Sequence, residues 1–117
     1  MRPRLVGLLA ASVILATPGM SSAQMTTLEY RALPEGERTQ YVVGVFDGWL
    51  HAWDLMIRAG QGTLADETFG KLIECARPMS RGQVRAIMDK YIQSVPTDLA
   101  KGARFDFYAA MSRACRR

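Results

Sequence analysis

The chain contains two cysteines, Cys75 and Cys115, and whether they are joined depends on the compartment the protein occupies. Its start, MRPRLVGLLAASVILATPGMSSAQ, bears on that. Arg2 and Arg4 form a basic n-region, and Leu5 to Ala16 is an uncharged apolar run. Thr17, Pro18 and Gly19 interrupt the run, and Ser21-Ser22-Ala23 supplies small residues at cleavage positions. That order is the pattern of a secretory signal peptide cut after Ala23. The apolar run is shorter than the roughly 20 residues a membrane-spanning helix needs. The expectation is a leader over residues 1–23 and a single mature domain over residues 24–117, exported to the periplasm. In an oxidising compartment an even cysteine count reads as a disulfide, and two cysteines allow one intramolecular pairing. Closing a loop of about 41 residues contributes roughly 4 kcal/mol on chain-entropy grounds. That is large beside the ~5–15 kcal/mol net stability of a small domain. Neither cysteine lies in the Cys-x-x-Cys spacing a redox role would favour, so the pair reads as a structural staple.

Helix signals dominate the rest. Thr26-Thr27-Leu28-Glu29 is a capping box opening a short helix through Ala32. Pro34 suits the first turn of a second helix, with Glu35 and Glu37 near its positive end; it runs to about Arg58, where Gly60 and Gly62 stop it. Thr63 to Ala76 supports a third helix carrying Leu64, Phe69, Leu72 and Ile73, ended by Pro78. Ser80 and Gln83 form another capping box. After it Val84, Ile87, Met88, Tyr91, Ile92 and Val95 trace one apolar helical face. Ser94-Val95-Pro96-Thr97 breaks that helix. A last one is expected from about Asp98 to Cys115, with Leu99, Ala103, Phe107, Ala110, Met111 and Ala114 along one side. No alternating run suggests strands. The expected fold is all-α: a small disulfide-stapled bundle of about four to five helices, its C-terminal three clamped together by the staple.

Charge narrows the function classes. The whole chain carries 15 basic and 11 acidic residues. Two of the basic ones, Arg2 and Arg4, lie in the leader, which leaves the mature domain near +2. A nucleic-acid partner would call for a denser basic stripe, and Arg113, Arg116 and Arg117 read as a helix end favoured by the macrodipole. No nucleophile elbow, phosphate loop or H-E-x-x-H is present, so the sequence points away from an enzyme and from a cofactor. Asp47, His51, Asp54 and Arg58 share one helical face. Zinc ordinarily takes three or four converging ligands, with more His or Cys than this, so the face reads as solvated, with Asp54 and Arg58 as an i,i+4 pair.

Two features remain for binding. Gly44, Gly48 and Ala52 recur every four residues inside the long helix, and glycine there costs about 1 kcal/mol relative to alanine. The spacing predicts close packing against another helix, or else a face for a second subunit (a homodimer) or a ligand. Trp49 and Trp53 flank the stripe, and one of them is a candidate for a partner-binding surface. The connection AGQGTLADET, Ala59 to Thr68, presents Leu64 beside Asp66 and Glu67. An apolar anchor with an acidic rim suits a partner cleft with basic edges; the alternative is an ordinary connection.

From Tyr41 onward the chain resembles the Rap/Tai immunity family, small exported helical proteins that neutralise type VI secretion amidase effectors. The residues carrying the resemblance are YVVGVFDG (Tyr41 to Gly48), Cys75 with Pro78, Ser80 and Gln83 opening a helix that reaches Tyr91, then Pro96 and Cys115. They span about two thirds of the chain. The family is similar in fold to Hde-type acid-stress chaperones, also small, periplasmic, helical and disulfide-stapled. The resemblance implies a binding protein that occludes the cleft of a peptidoglycan amidase; an acid-stress chaperone and another exported interaction protein are the alternatives. Family members commonly carry a second cysteine pair ahead of the tyrosine motif. Here TLEYRALPEGERTQ has none, which implies that the N-terminal helices dock by packing alone.

Overall fold

The computed structural model describes residues 25–95 and 99–116, so the expected leader lies outside the described residues. Local capping chemistry opens the first helix, α1 (Thr27–Arg31). The Thr26 hydroxyl accepts from the Glu29 N–H at 3.1 Å, and the Glu29 carboxylate accepts from the Thr26 N–H at 2.9 Å. Two donors that a helix start leaves unpaired are thereby satisfied reciprocally. Pro34 caps α2 (Glu35–Arg58). Gly60 ends it at φ 81°, in the left-handed region where a Cβ is unfavourable. The Gln61 N–H bonds the Met56 carbonyl and the Gly60 N–H that of Ile57, the paired closure of a Schellman motif.

A third helical run, α3, is α-helical over Gly62–Ala65, π-helical over Asp66–Gly70 and α-helical again over Lys71–Ala76. The second capping box starts α4 (Arg81–Ser94), with Ser80 and Gln83 bonded both ways at 2.6 and 3.1 Å. The last helix, α5, is Ala103–Ala114. Among the described residues the fold is therefore five helices and no strand, an all-α bundle.

The core forms where α2 packs on α3 and α4, and α5 packs on α4 and α1. Val42, Leu72, Ala76, Val84, Met88, Phe107, Ala110 and Met111 are buried together. Each fully buried large apolar side chain is worth about 1.5–3 kcal/mol relative to exposure. The expected apolar faces of α4 and α5 supply most of this core. Cys75, in the last turn of α3, is bonded to Cys115, the C-cap of α5, with their Cα atoms 5.8 Å apart.

Two expectations need correction. The last helix begins at Ala103 rather than near Asp98, which itself lies outside the described residues. Its approach is used differently: the carbonyls of Leu99 and Lys101 accept from the N–H groups of Leu28 and Thr27, and the Ala103 N–H returns a bond to Met25. The stretch Ala59–Thr68 is not a loop either, since α3 already starts at Gly62. Ala65, fully buried, and the bond from the Trp53 indole N–H to the Asp66 carboxylate (3.1 Å) tie it to α2.

Candidate functional site

Where α2, the π turn and the start of α5 meet, aromatic side chains accumulate around Trp49. Its ring stacks on the buried Phe107 at a centroid distance of 4.9 Å and meets the edge of Tyr108 at 5.6 Å. Phe69 lies 6.3 Å away and Phe46 6.0 Å away. Offset and edge-on pairs of this kind add about 0.5–1.5 kcal/mol each beyond the area they bury. The Tyr108 hydroxyl donates to the Thr68 carbonyl at 2.9 Å, fixing α5 to the π turn.

One side of this cluster is open. Tyr41, Val45, Gly48, Trp49, Phe69, Phe105 and Tyr108 line a groove of about 530 Å³ with Arg104 at its edge. Phe105 is 54 % exposed and Tyr108 37 %. The Arg104 guanidinium sits 5.0 Å over the Phe105 ring, a cation–π contact that keeps the charge beside the apolar floor. Burial pushes the Tyr41 phenol above its ordinary pKa, and the Arg104 charge partly opposes that, so Tyr41 remains a neutral hydroxyl at the groove wall. A concave apolar surface with a few polar groups at its rim is the usual form of a binding site.

The structure moves the expected small-residue stripe to this open side. A Cβ at Gly44 or Gly48 would meet nothing within 4 Å, and both glycines are exposed. The expected close packing against another helix of this chain is therefore corrected at Gly44 and Gly48, which look outward; Ala52, on the same face by spacing, is half-buried. Gly48 lowers one wall of the aromatic groove instead.

Of the other expected contact residues, Leu64 is 51 % exposed and Glu67 is exposed. Asp66 is exposed as well, and one of its carboxylate oxygens accepts from the Trp53 indole N–H at 3.1 Å. Asp54 and Arg58 form the expected i,i+4 ion pair at 2.9 Å on an exposed face, and His51 is exposed beside them. No group of His, Cys, Asp and Glu that could hold a metal occurs among the described residues.

A polar cluster lies between α1, α2 and α4. The buried Tyr30 hydroxyl donates to Asp89 at 2.8 Å, and Asp89 faces Arg38 at 3.4 Å and Arg85 at 3.8 Å. Arg85 also pairs with Glu35 at 2.5 Å, which holds the Glu35 carboxyl below its usual range. Desolvation, then the Asp89 hydrogen bond and charge, push the Tyr30 phenol far above its ordinary value. With each acid matched to a base, the cluster serves to fasten helices together.

Sequence reasoning missed Arg104, Phe105 and Tyr108. The signal was present: Phe105 and Tyr108 fall off the apolar stripe of α5 that Phe107 and Met111 define, and bulky aromatics on the outer face of a helix ask for a reason. No protein-family profile, curated protein or solved structure matches this chain.

Proposed function

We propose that the protein is an exported binding protein that acts by seating part of another protein in the aromatic groove. The observation that supports this most is the exposure of Phe105 and Tyr108 beside Trp49 in a groove edged by Arg104. Rigid aromatics and arginine are the side chains that most often carry interface energy. The Cys75–Cys115 bond suits an oxidising, extracytoplasmic compartment. The resemblance to the Rap/Tai family makes a peptidoglycan amidase effector the first partner to try, with occlusion of its cleft as the mode of action.

The test is direct. A purified type VI amidase effector from the same cell, mixed with the mature protein, is expected to lose peptidoglycan cleavage and to co-elute in a stable complex. Phe105→Asp, at an exposed position, is expected to abolish both while leaving the thermal midpoint near that of the parent. A photo-crosslinking residue at position 105 that traps no protein in exported fractions would reject the groove as a contact surface. Absence of amidase inhibition alongside such a crosslink would reject the immunity role only.

An acid-stress chaperone is the second reading, and the carboxylate–guanidinium cluster favours it: Glu35 and Asp89 hold α2 to α4 through Arg85 and Arg38. Suppression of client aggregation at low pH, absent at pH 7, would select this reading over immunity.

A further inference from the structure

A second groove, sharing no lining residue with the aromatic one, runs between α4 and α5. Ile87, Tyr91 and Ser94 occupy one row of α4 at i, i+4 and i+7, facing Ala110 and Ala114 at i and i+4 of α5, with Met79 closing one end. Rows at this spacing are the ridges between which a further helix packs, and alanines on one wall let a backbone come close. The groove encloses about 470 Å³. Lys90 and Arg113 stand on its rim. Both are exposed, and neither forms an ion pair among the described residues. Arg38, Arg58, Arg85 and Lys101 each have a carboxylate within 4 Å, whereas Arg31, Lys71, Arg77, Arg81, Arg104 and Arg116 share with Lys90 and Arg113 the lack of an ion pair among the described residues. Of all these, Lys90 and Arg113 are the two that stand on this groove. An apolar floor between two unmatched cations selects for apolar anchors flanked by negative charge, because opposite charge raises the encounter rate and penalises wrong partners.

We infer that the α4–α5 groove is a docking site for an acidic amphipathic helix of a partner protein. Its apolar residues, at i, i+3 or i+4, and i+7, lie over Ile87, Tyr91 and Ala110, and its carboxylates meet Lys90 and Arg113. This is the helix-in-groove mode of recognition. It is independent of the aromatic groove, so a partner can engage either surface alone.

The probe is an 18-residue capped peptide, helical by design, with leucines at those spacings and glutamates flanking them. Controls carry lysine for every glutamate, or serine for every leucine. Titrated into the isotopically labelled, disulfide-intact protein, the acidic peptide is expected to shift the amide resonances of Ala110 and Ala114 saturably. Affinity should fall at least tenfold for Lys90→Glu with Arg113→Glu, and fall again between 50 and 500 mM salt, as screening of exposed charges requires. Phe105→Asp should leave it unchanged. Both rim residues are exposed, and an unchanged thermal midpoint verifies that the double variant folds. The inference is overturned if no saturable shift occurs, if the lysine peptide binds equally well, or if the shifts map to other residues. It is also overturned if the protein alone is a dimer that Ile87→Glu dissociates, since a second copy would then own the groove.

Discussion

Thr27 and Asp106, 79 positions apart in sequence, share a buried hydrogen bond of 2.5 Å in which the threonine hydroxyl donates to the carboxylate. Around them the Thr27 and Leu28 N–H groups bond the carbonyls of Lys101 and Leu99. The start of α1 is thus held to the approach and first turn of α5 by side chain and backbone together. Thr27→Val keeps the shape but leaves a buried carboxylate oxygen without its donor, which is expected to cost about 1–3 kcal/mol. Thr27→Ser, which retains the hydroxyl, should cost less. Urea titration of the three proteins checks this, and a valine variant as stable as the parent would remove the bond from any account of stability.

Gly48 now has a two-part expectation. Its Cβ position is open space, so Gly48→Ala should raise stability by up to about 1 kcal/mol through helix propensity. Gly48→Arg should be tolerated by the fold yet obstruct the aromatic groove and weaken partner binding. Denaturant midpoints and a binding titration separate the two effects. Strong destabilisation by arginine would mean that the glycine faces a packed helix after all.

Acid should loosen the link between α2 and α4. Arg85 holds the folded-state pKa of Glu35 below its ordinary 4.5. A depressed carboxyl pKa contributes stability above the unfolded value, and that contribution is lost as pH falls through the folded value. The difference in thermal midpoint between the parent and Glu35→Gln should therefore be present at neutral pH and shrink progressively below pH 4.5. A difference independent of pH would show that the carboxylate charge is not what matters.

Removing the staple should be costly. Cys75→Ser with Cys115→Ser releases a closure spanning 40 positions, and loss of a native disulfide from a small exported domain typically costs about 2–5 kcal/mol. A lowered thermal midpoint, matched by the parent under reductant, is the expected result.

What the sequence made legible was local. Thr26 with Glu29 and Ser80 with Gln83 announce helix starts because the capping partner lies three residues away, and Gly60 marks a stop because its φ belongs to glycine. The start of α5 was hidden because residues 99–103 answer to Met25, Thr27 and Leu28, a demand no window around them contains. Periodicity put Gly44, Gly48 and Ala52 on one face, but which face meets a neighbour depends on where α3 and α5 fall. For the same reason the aromatic groove, assembled from three helices, could be read only in fragments such as Trp49.

The π turn at Asp66–Gly70 sets the rotational phase of α3. Such a turn acts as one residue inserted into an α-helix, and each residue advances about 100° around the axis. At its first residue the turn is fastened to α2 through Asp66 and Trp53; downstream of it the helix is fastened to α5 through Cys75 and Cys115. An uninterrupted α-helix would carry one of these anchors about 100° away from its partner. A single-residue deletion at Glu67, within the turn, would therefore force a choice between the two moorings, although it removes neither of the bonded side chains.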